Sequence, residues 1–148
     1  MEEYGSDFHY VDTYLSGRAH LTDVYGGSWY IADGRQCLIA LIRQSGWKRM
    51  WMPEYFCYEV IESLRQMTDI EIVFYQDFPT NDARGMVMTL PFRDGDVLLR
   101  VNYFGMRDLR RNKNIPVPVI EYHSHDPFGH CLSAFGCIFL DDRTVSCY

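Results

Sequence analysis

Two stretches of the chain place apolar residues every three or four positions, which is the spacing of one face of an α-helix. The first covers residues 34–44, where Leu38 belongs to the apolar face, and it ends at a Ser-Gly pair. The second covers residues 57–67, where Leu64 belongs to the apolar face. The pattern therefore predicts two amphipathic helices.

Short apolar stretches rich in β-branched residues lie before, between and after these helices. They predict strands over residues 48–52, 70–75, 96–101 and 117–121. Alternation of strands and helices is typical of an α/β fold, in which helices flank a mainly parallel sheet. Residues 83–92 fit either a short extended segment or a weak helix. An apolar run at 137–140 is followed by no helical pattern, so we expect one bare sheet edge.

The length of 148 residues suits one domain, preceded here by a segment of different character. Residues 1–30 show no sustained period, and a Gly-Gly pair at 26–27 separates them from the first helix. We interpret 1–30 as an aromatic-rich N-terminal arm and 31–148 as the α/β domain. The arm should pack on the domain or on a second subunit, because it carries Tyr4, Phe8, Tyr10, Tyr14, Tyr25, Trp29 and Tyr30.

Composition and charge argue against several classes of function and location. A hydrophobic share of 47% and a net charge of −6 are typical of a folded soluble protein without affinity for nucleic acid or anionic membranes. No apolar run approaches the length of a membrane span, and the acidic start does not resemble a secretory leader. Five scattered cysteines form no C-x-x-C pair. We therefore predict a cytoplasmic protein with reduced cysteines.

The start of the first helix is a candidate anion site. Asp33 is suited to cap the helix, and Gly34 would let a ligand approach the main chain. Unpaired N–H groups and the helix dipole favour a negative charge at such a position. The same residues also fit an ordinary capped core helix.

A histidine-rich stretch follows the fourth predicted strand. His123, His125 and His130 stand near Glu121 and Asp126, and these side chains can ligate zinc or iron. Their spacing matches no closed zinc pattern, which favours histidines in a loop at a strand end. A small metal-dependent hydrolase built on His123, His125 and Asp126 stays open as a third possibility.

Four segments, in order, resemble landmarks of the DegT/StrS-type sugar aminotransferases, which are fold-type I pyridoxal-phosphate enzymes. They are residues 34–41, 51–57, 101–105 and 119–125, and the resemblance covers about residues 30–130. It implies the first half of the large domain of a fold-type I transferase, with pyridoxal 5'-phosphate as cofactor. In an intact parent it implies amino transfer from an amino acid to a keto-sugar, and a homodimer.

The resemblance also implies roles for individual residues. Gly34 and Arg35 would lie at the cofactor phosphate, and Tyr55 or Phe56 would stack on the pyridine ring. His125 would lie near the ring oxygen of the cofactor. No metal is implied.

Two departures from the family pattern bear on activity. Tyr122 stands where the family has the aspartate that faces the ring nitrogen, and no lysine follows Val119 to form the Schiff base. Lys48 and Lys113 are the only lysines present, and Arg143, in the nearest match to the lysine motif, cannot form an imine. We therefore expect an inactive chain, either truncated or degenerate, without catalytic residues. The alternative is a non-catalytic binding or assembly module whose exposed sheet edge recruits a second copy or a partner chain.

Overall fold

A computed structural model describes most of the α/β domain. The described residues are 33–81, 84–107, 114–123, 138–141 and 144–147. The predicted N-terminal arm lies outside these ranges, and so does the predicted site residue His125.

The helices and strands of the described residues follow the predicted alternation. In chain order they are α1 (Gly34–Ser45), β1 (Arg49–Pro53), α2 (Tyr58–Met67), β2 (Glu71–Tyr75), α3 (Arg84–Val87), β3 (Asp96–Val101), β4 (Val119–Tyr122), β5 (Ile138–Asp141) and β6 (Thr144–Cys147). Both predicted helices and all four predicted strands are confirmed. The fourth strand begins two residues later than predicted, after the pair of prolines that precedes it. The open question over 83–92 resolves into the one-turn helix α3.

The strands form one sheet in the order β2-β1-β3-β4-β6-β5. Every neighbouring pair is parallel except β5 and β6, which are antiparallel. The prediction of an α/β fold with a mainly parallel sheet is therefore confirmed in general form. Strands β5 and β6 were not predicted, because an apolar run at 137–140 was their only signal and residues 144–147 contain no apolar run.

Each face of the sheet has its own hydrophobic core. On one face, α1 and α2 pack over Met50, Leu99 and Ile120. On the other face, Trp51 and Leu98 pack against α3 and the segments that follow it. Successive strand residues point to opposite faces, so β1 and β3 are buried on both sides, and each contains three consecutive apolar residues, 50–52 and 97–99.

Local signals fix both ends of α1. The Asp33 carboxylate accepts a hydrogen bond of 2.7 Å from the Gln36 main-chain N–H, which is a standard N-cap. Gly46 ends the helix with a φ of 69°, a left-handed conformation that glycine adopts without steric cost. The helix that leads into the sheet therefore begins and ends where the sequence predicts.

A buried carboxylate joins the amino ends of β1 and β3. Asp96 is 3% exposed and accepts hydrogen bonds from the Arg49 guanidinium, at 2.6 and 2.8 Å, and from the Trp51 indole at 2.9 Å. Burial alone would raise the pKa of Asp96, but the hydrogen bonds from Arg49, Trp51 and the Arg93 main chain outweigh it and lower the pKa. The hydrogen bonds of this charged network fix the register of β1 against β3.

Two findings concern the predictions about membrane spans and cysteines. Within the part of the chain that the structure describes, no helix has the length and apolar character needed to cross a membrane. Cys37, which is buried in α1, is disulfide-bonded. The prediction of reduced cysteines is therefore wrong at Cys37.

The Asp96 network predicts a pH-dependent stability difference. Asp96→Asn keeps the side-chain shape but leaves Arg49 without its counter-charge, so we expect a lower urea midpoint at pH 7. A carboxyl with a lowered folded pKa stabilises the protein above its unfolded pKa of about 3.9, and this contribution disappears as the pH falls through the folded value. The difference in urea midpoint between the wild type and Asp96→Asn should therefore be constant above pH 5 and decrease below about pH 4.

The matched control is Glu62→Gln, which removes an exposed ion pair with Arg65 on α2. Exposed pairs contribute little, so its urea midpoint should stay close to that of the wild type. Equal midpoints for the two variants at pH 7 would contradict the role given to Asp96.

Candidate ligand-binding cleft

A cleft of about 560 Å³ lies at the carboxyl ends of β1, β3 and β4. Its walls come from the loops that follow β1 and β3 and from the last residue of β4. The chain runs from β1 outward to β2 and then returns to β3 on the other side of β1. The cleft therefore lies beside the topological switch point of the sheet, where ligands bind in open α/β folds.

Aromatic rings make up most of the cleft wall and meet in two edge-to-face pairs. Tyr55 and Tyr103 have ring centroids 5.6 Å apart with an interplanar angle of 72°. Phe56 and Tyr122 have centroids 5.3 Å apart at 77°. Such pairs are the preferred geometry of aromatic contacts, and the half-exposed ring of Tyr55 offers a surface to a further ring. The cleft is thus suited to a flat aromatic group.

Tyr103 is the residue of the cleft wall that its neighbours hold most firmly in place. It is 1% exposed, and its hydroxyl donates a hydrogen bond of 2.6 Å to the Tyr55 main-chain oxygen. The guanidinium of Arg107 lies 4.7 Å from the ring centroid and is itself held by Asp77 at 2.5 Å. Burial, together with the charge of Asp77, raises the pKa of Tyr103. The phenol therefore stays protonated and keeps the loop after β1 tied to the loop after β3.

Phe104 forms an exposed rim of the cleft in a strained conformation. Its backbone has φ 55° and ψ 26°, the left-handed region that bulky residues rarely adopt, and its side chain is 56% exposed. Strain of this kind costs about 1–3 kcal/mol and concentrates at functional sites. Tyr55 is also half exposed. Two aromatic rings thus face solvent at the mouth of the cleft.

The side chain of Tyr122 lies against the start of α1. A Cβ atom placed on Gly34 would lie 2.6 Å from the Tyr122 hydroxyl and 3.0 Å from the edge of its ring. The absence of a Cβ at Gly34 thus gives room to the phenol of Tyr122. The nearby Asp33 carboxylate occupies the Gln36 N–H, and the Arg35 guanidinium lies 3.4 Å from that carboxylate.

These contacts test whether the helix start fits a cofactor phosphate. A phosphate at a helix start is bound by unpaired main-chain N–H groups, and a nearby negative charge weakens its binding. Here a carboxylate caps the helix and a phenol lies against Gly34. The residues present do not fit a phosphate at this position.

No lysine of the described residues lines the cleft. Lys48 lies at the amino end of β1, where its main chain pairs with Gly95 and Glu71. The cleft is at the other end of this five-residue strand, roughly 16 Å away. Lys113 lies outside the described residues. Besides three tyrosines, the lining residues that carry a polar side chain are Glu54 and Cys57, and Cys57 is an exposed free cysteine.

The structure brings some of the predicted site residues together. Tyr55 and Phe56 both line the cleft, and Gly34 borders it through its contact with Tyr122. Arg35 is directed to Asp33 at the outside of the helix start. The predicted role of His125 falls outside the described residues.

Of the nine residues that line the cleft, only Tyr55 and Phe56 were predicted as site residues, and the unpredicted ones include the aromatic residues Tyr103 and Phe104. The segment 101–105 was recognised only as a landmark, although it follows the carboxyl end of a predicted strand, and that position was a usable signal. Near it, His123 is buried with Asn102 and Glu121, at 3.4 and 3.5 Å. No cluster of three or more His, Cys, Asp or Glu side chains that could hold a metal occurs within the described ranges.

Comparison with known proteins found no matching family model, no matching curated protein and no matching solved structure.

The contact between Gly34 and Tyr122 predicts a coupled pair of mutations. Gly34→Ala alone should lower the free energy of unfolding by about 1 kcal/mol, because the new methyl displaces the Tyr122 ring. In a Tyr122→Ala background the same change should be neutral or stabilising by about 0.5 kcal/mol, since alanine favours the helix. Urea unfolding of the four proteins in a double-mutant cycle measures the coupling.

Gly85→Ala is the matched control, because a Cβ there meets nothing within 4 Å. It should show no coupling to Tyr122→Ala. Additive effects of Gly34→Ala and Tyr122→Ala would contradict the arrangement described at the helix start.

Proposed function

We propose that this chain is a non-catalytic binding module related to the sugar aminotransferases, whose cleft holds a planar aromatic compound without covalent attachment. The observation that carries the proposal is the pair of edge-to-face contacts around the cleft, Tyr55 with Tyr103 and Phe56 with Tyr122. A cleft of 560 Å³ is in the size range of small-molecule sites.

Two features argue against transaminase chemistry in this cleft. Imine formation requires an amine, and no lysine of the described residues reaches the site, since Lys48 lies at the far end of β1. The residue that the resemblance aligns with the ring-nitrogen carboxylate is Tyr122. A neutral phenol lacks the negative charge with which a carboxylate keeps a pyridine nitrogen protonated.

Charge and space further favour an unphosphorylated ligand. The Asp33 carboxylate and the Tyr122 ring occupy the helix start that would otherwise receive a phosphate. Glu54 adds another carboxylate at the cleft. A neutral or cationic ring meets no electrostatic penalty there, whereas a phosphate dianion meets two carboxylates.

The other functional expectations stay predictions. An intact parent would transfer an amino group to a keto-sugar, and the chain would be cytoplasmic. An assembly role would use the edge strand β2, where Phe74 is 37% exposed.

A matched pair of ring compounds tests the proposal. Pyridoxine and pyridoxine 5'-phosphate share a ring, lack the aldehyde needed for an imine and differ only in the phosphate. Titration calorimetry should show saturable binding of pyridoxine, and the phosphate ester should bind no more tightly. A preference of tenfold or more for the phosphate ester would mean that the helix start is an anion site after all.

Two tyrosine variants locate the binding site. Tyr103→Phe removes the hydroxyl that ties the two cleft loops together, whereas Tyr75→Phe removes an equally buried hydroxyl that donates to Leu99 away from the cleft. Each should lose about 1 kcal/mol of stability. Only Tyr103→Phe should weaken pyridoxine binding, by about fivefold. Equal affinities for the two variants, or no binding by the wild type, would contradict the proposed function.

A further inference from the structure

The lining of the cleft combines aromatic rings with negative charge. Five of the nine lining residues are aromatic, and one of the others is Glu54. Within the described part of the chain, no lysine, arginine or histidine belongs to this lining. The face of an aromatic ring carries negative electrostatic potential, so rings and a carboxylate attract the same kind of group, a cation.

We propose that the ligand of the cleft is a planar aromatic cation whose charge is permanent, such as an N-alkylated pyridinium. This assignment rests on the proposed function, because it adds a charge to the flat ring that the cleft is proposed to hold. Among the rings that meet no electrostatic penalty in the cleft, it selects the cationic ones.

Two carboxylates at the cleft lack a cationic partner among the described residues. Glu54 lines the cleft, and Glu59 lies in the first turn of α2, which begins next to the lining residue Cys57. Neither forms an ion pair within the described part of the chain. The dipole at the start of α2 contributes about half a positive charge, which is less than the charge of the two carboxylates. The electrostatic balance at this wall is therefore negative.

Two guanidinium groups near the cleft are each paired with a carboxylate. Arg107 lies over the Tyr103 ring, 4.7 Å from its centroid, and its charge is offset by the buried Asp77 at 2.5 Å. Arg35, at the start of α1, lies 3.4 Å from Asp33. These ion pairs carry no net charge that would repel a cation. The contact of Arg107 also shows that a ring of this wall accepts a positive group over its face.

Tyr55 provides the ring that a cation from solvent can reach. Its side chain is half exposed, and the exposed residue Glu54 precedes it directly in the loop after β1. Both residues line the cleft. A cation in the cleft is therefore attracted by a ring and by a carboxylate of the same loop.

The hydrogen-bonding groups of the wall favour an alkylated cation over an amine. A primary ammonium carries three N–H donors, and each needs an acceptor when the group leaves water. The Tyr103 hydroxyl already donates to the Tyr55 main-chain oxygen, which leaves Glu54 as the strongest acceptor side chain of the lining. An N-alkylated pyridinium has no N–H group on its ring nitrogen, so an aromatic wall can hold it without further acceptors.

A matched pair of compounds tests the charge preference. 1-Methylnicotinamide and 3-methylbenzamide have the same shape, and only the first carries a permanent positive charge, on its ring nitrogen. Titration calorimetry on the full-length chain at low ionic strength should show about fivefold tighter binding of the cation. The preference should decrease as salt is added, because Glu54 is exposed and its attraction is screened.

Two charge variants test the contribution of Glu54. Glu54→Gln should weaken the binding of 1-methylnicotinamide by about threefold and leave the binding of 3-methylbenzamide unchanged. The matched control Glu71→Gln removes the same charge from an exposed residue at the amino end of β2, at the opposite edge of the sheet from the cleft. This control should change neither affinity. An equal effect of the two variants would contradict a local role of Glu54.

Two substitutions of Tyr55 test the contribution of the ring. Tyr55→Leu removes the aromatic face and keeps the main-chain oxygen that binds the Tyr103 hydroxyl. The affinity ratio of cation to neutral compound should fall to about twofold in this variant, and Tyr55→Phe should keep the ratio of the wild type. A ratio that is the same in all three proteins would contradict the cation–ring contact.

The outcomes separate this assignment from the proposed function. Saturable binding of both compounds without a preference for the cation would overturn the assignment and leave the proposed function standing. Binding of tetramethylammonium, which has no ring, without binding of any ring compound would support the attraction of cations and overturn the proposed function. Absence of binding by every compound would overturn both.

Discussion

Parallel pairing of β1, β3 and β4 is the constraint on which the rest of the structure depends. Parallel strands bring all their carboxyl ends to one edge, so the residues after Pro53, after Val101 and at Tyr122 must meet there. The Asp96 network at the opposite end sets the register of β1 against β3. Once this register is set, the aromatic residues that follow each strand have to share one cleft, and the Tyr103 hydroxyl joins two of the loops.

The residues at this edge of the sheet also determine which groups the cleft can bind. A helix start pointing at this edge would ordinarily receive an anion, but Asp33 caps it and Tyr122 lies over Gly34. The amine needed for cofactor chemistry is missing from the described part of the cleft. What is left is an aromatic surface with a strained rim at Phe104, and we propose that this surface binds a ring compound. A common α/β fold does not by itself determine the chemistry of its sites.

Much of the fold was predictable because its signals are local. The period of α1, its Asp33 cap and the apolar run of β3 each lie within a dozen residues, and the structure confirms them. The contact between Gly34 and Tyr122 was not predictable, because these residues lie 88 positions apart in the sequence. The pairing of β5 with β6 was not predictable either, because it lacks a periodic signal. Tyr55 and Phe56 were predicted through family resemblance, and both line the cleft. Tyr103 and Phe104 needed the sheet order before their place in the cleft could be seen.

We propose that rings bind at the aromatic wall and not at the helix start. Amide chemical shifts, followed by nuclear magnetic resonance during a pyridoxine titration, report on both places at once. We expect the largest shifts to fall on residues 54–57 and 103–105 and on Tyr122, and to saturate together. Shifts concentrated on residues 34–37, or scattered over the domain without saturation, would contradict it.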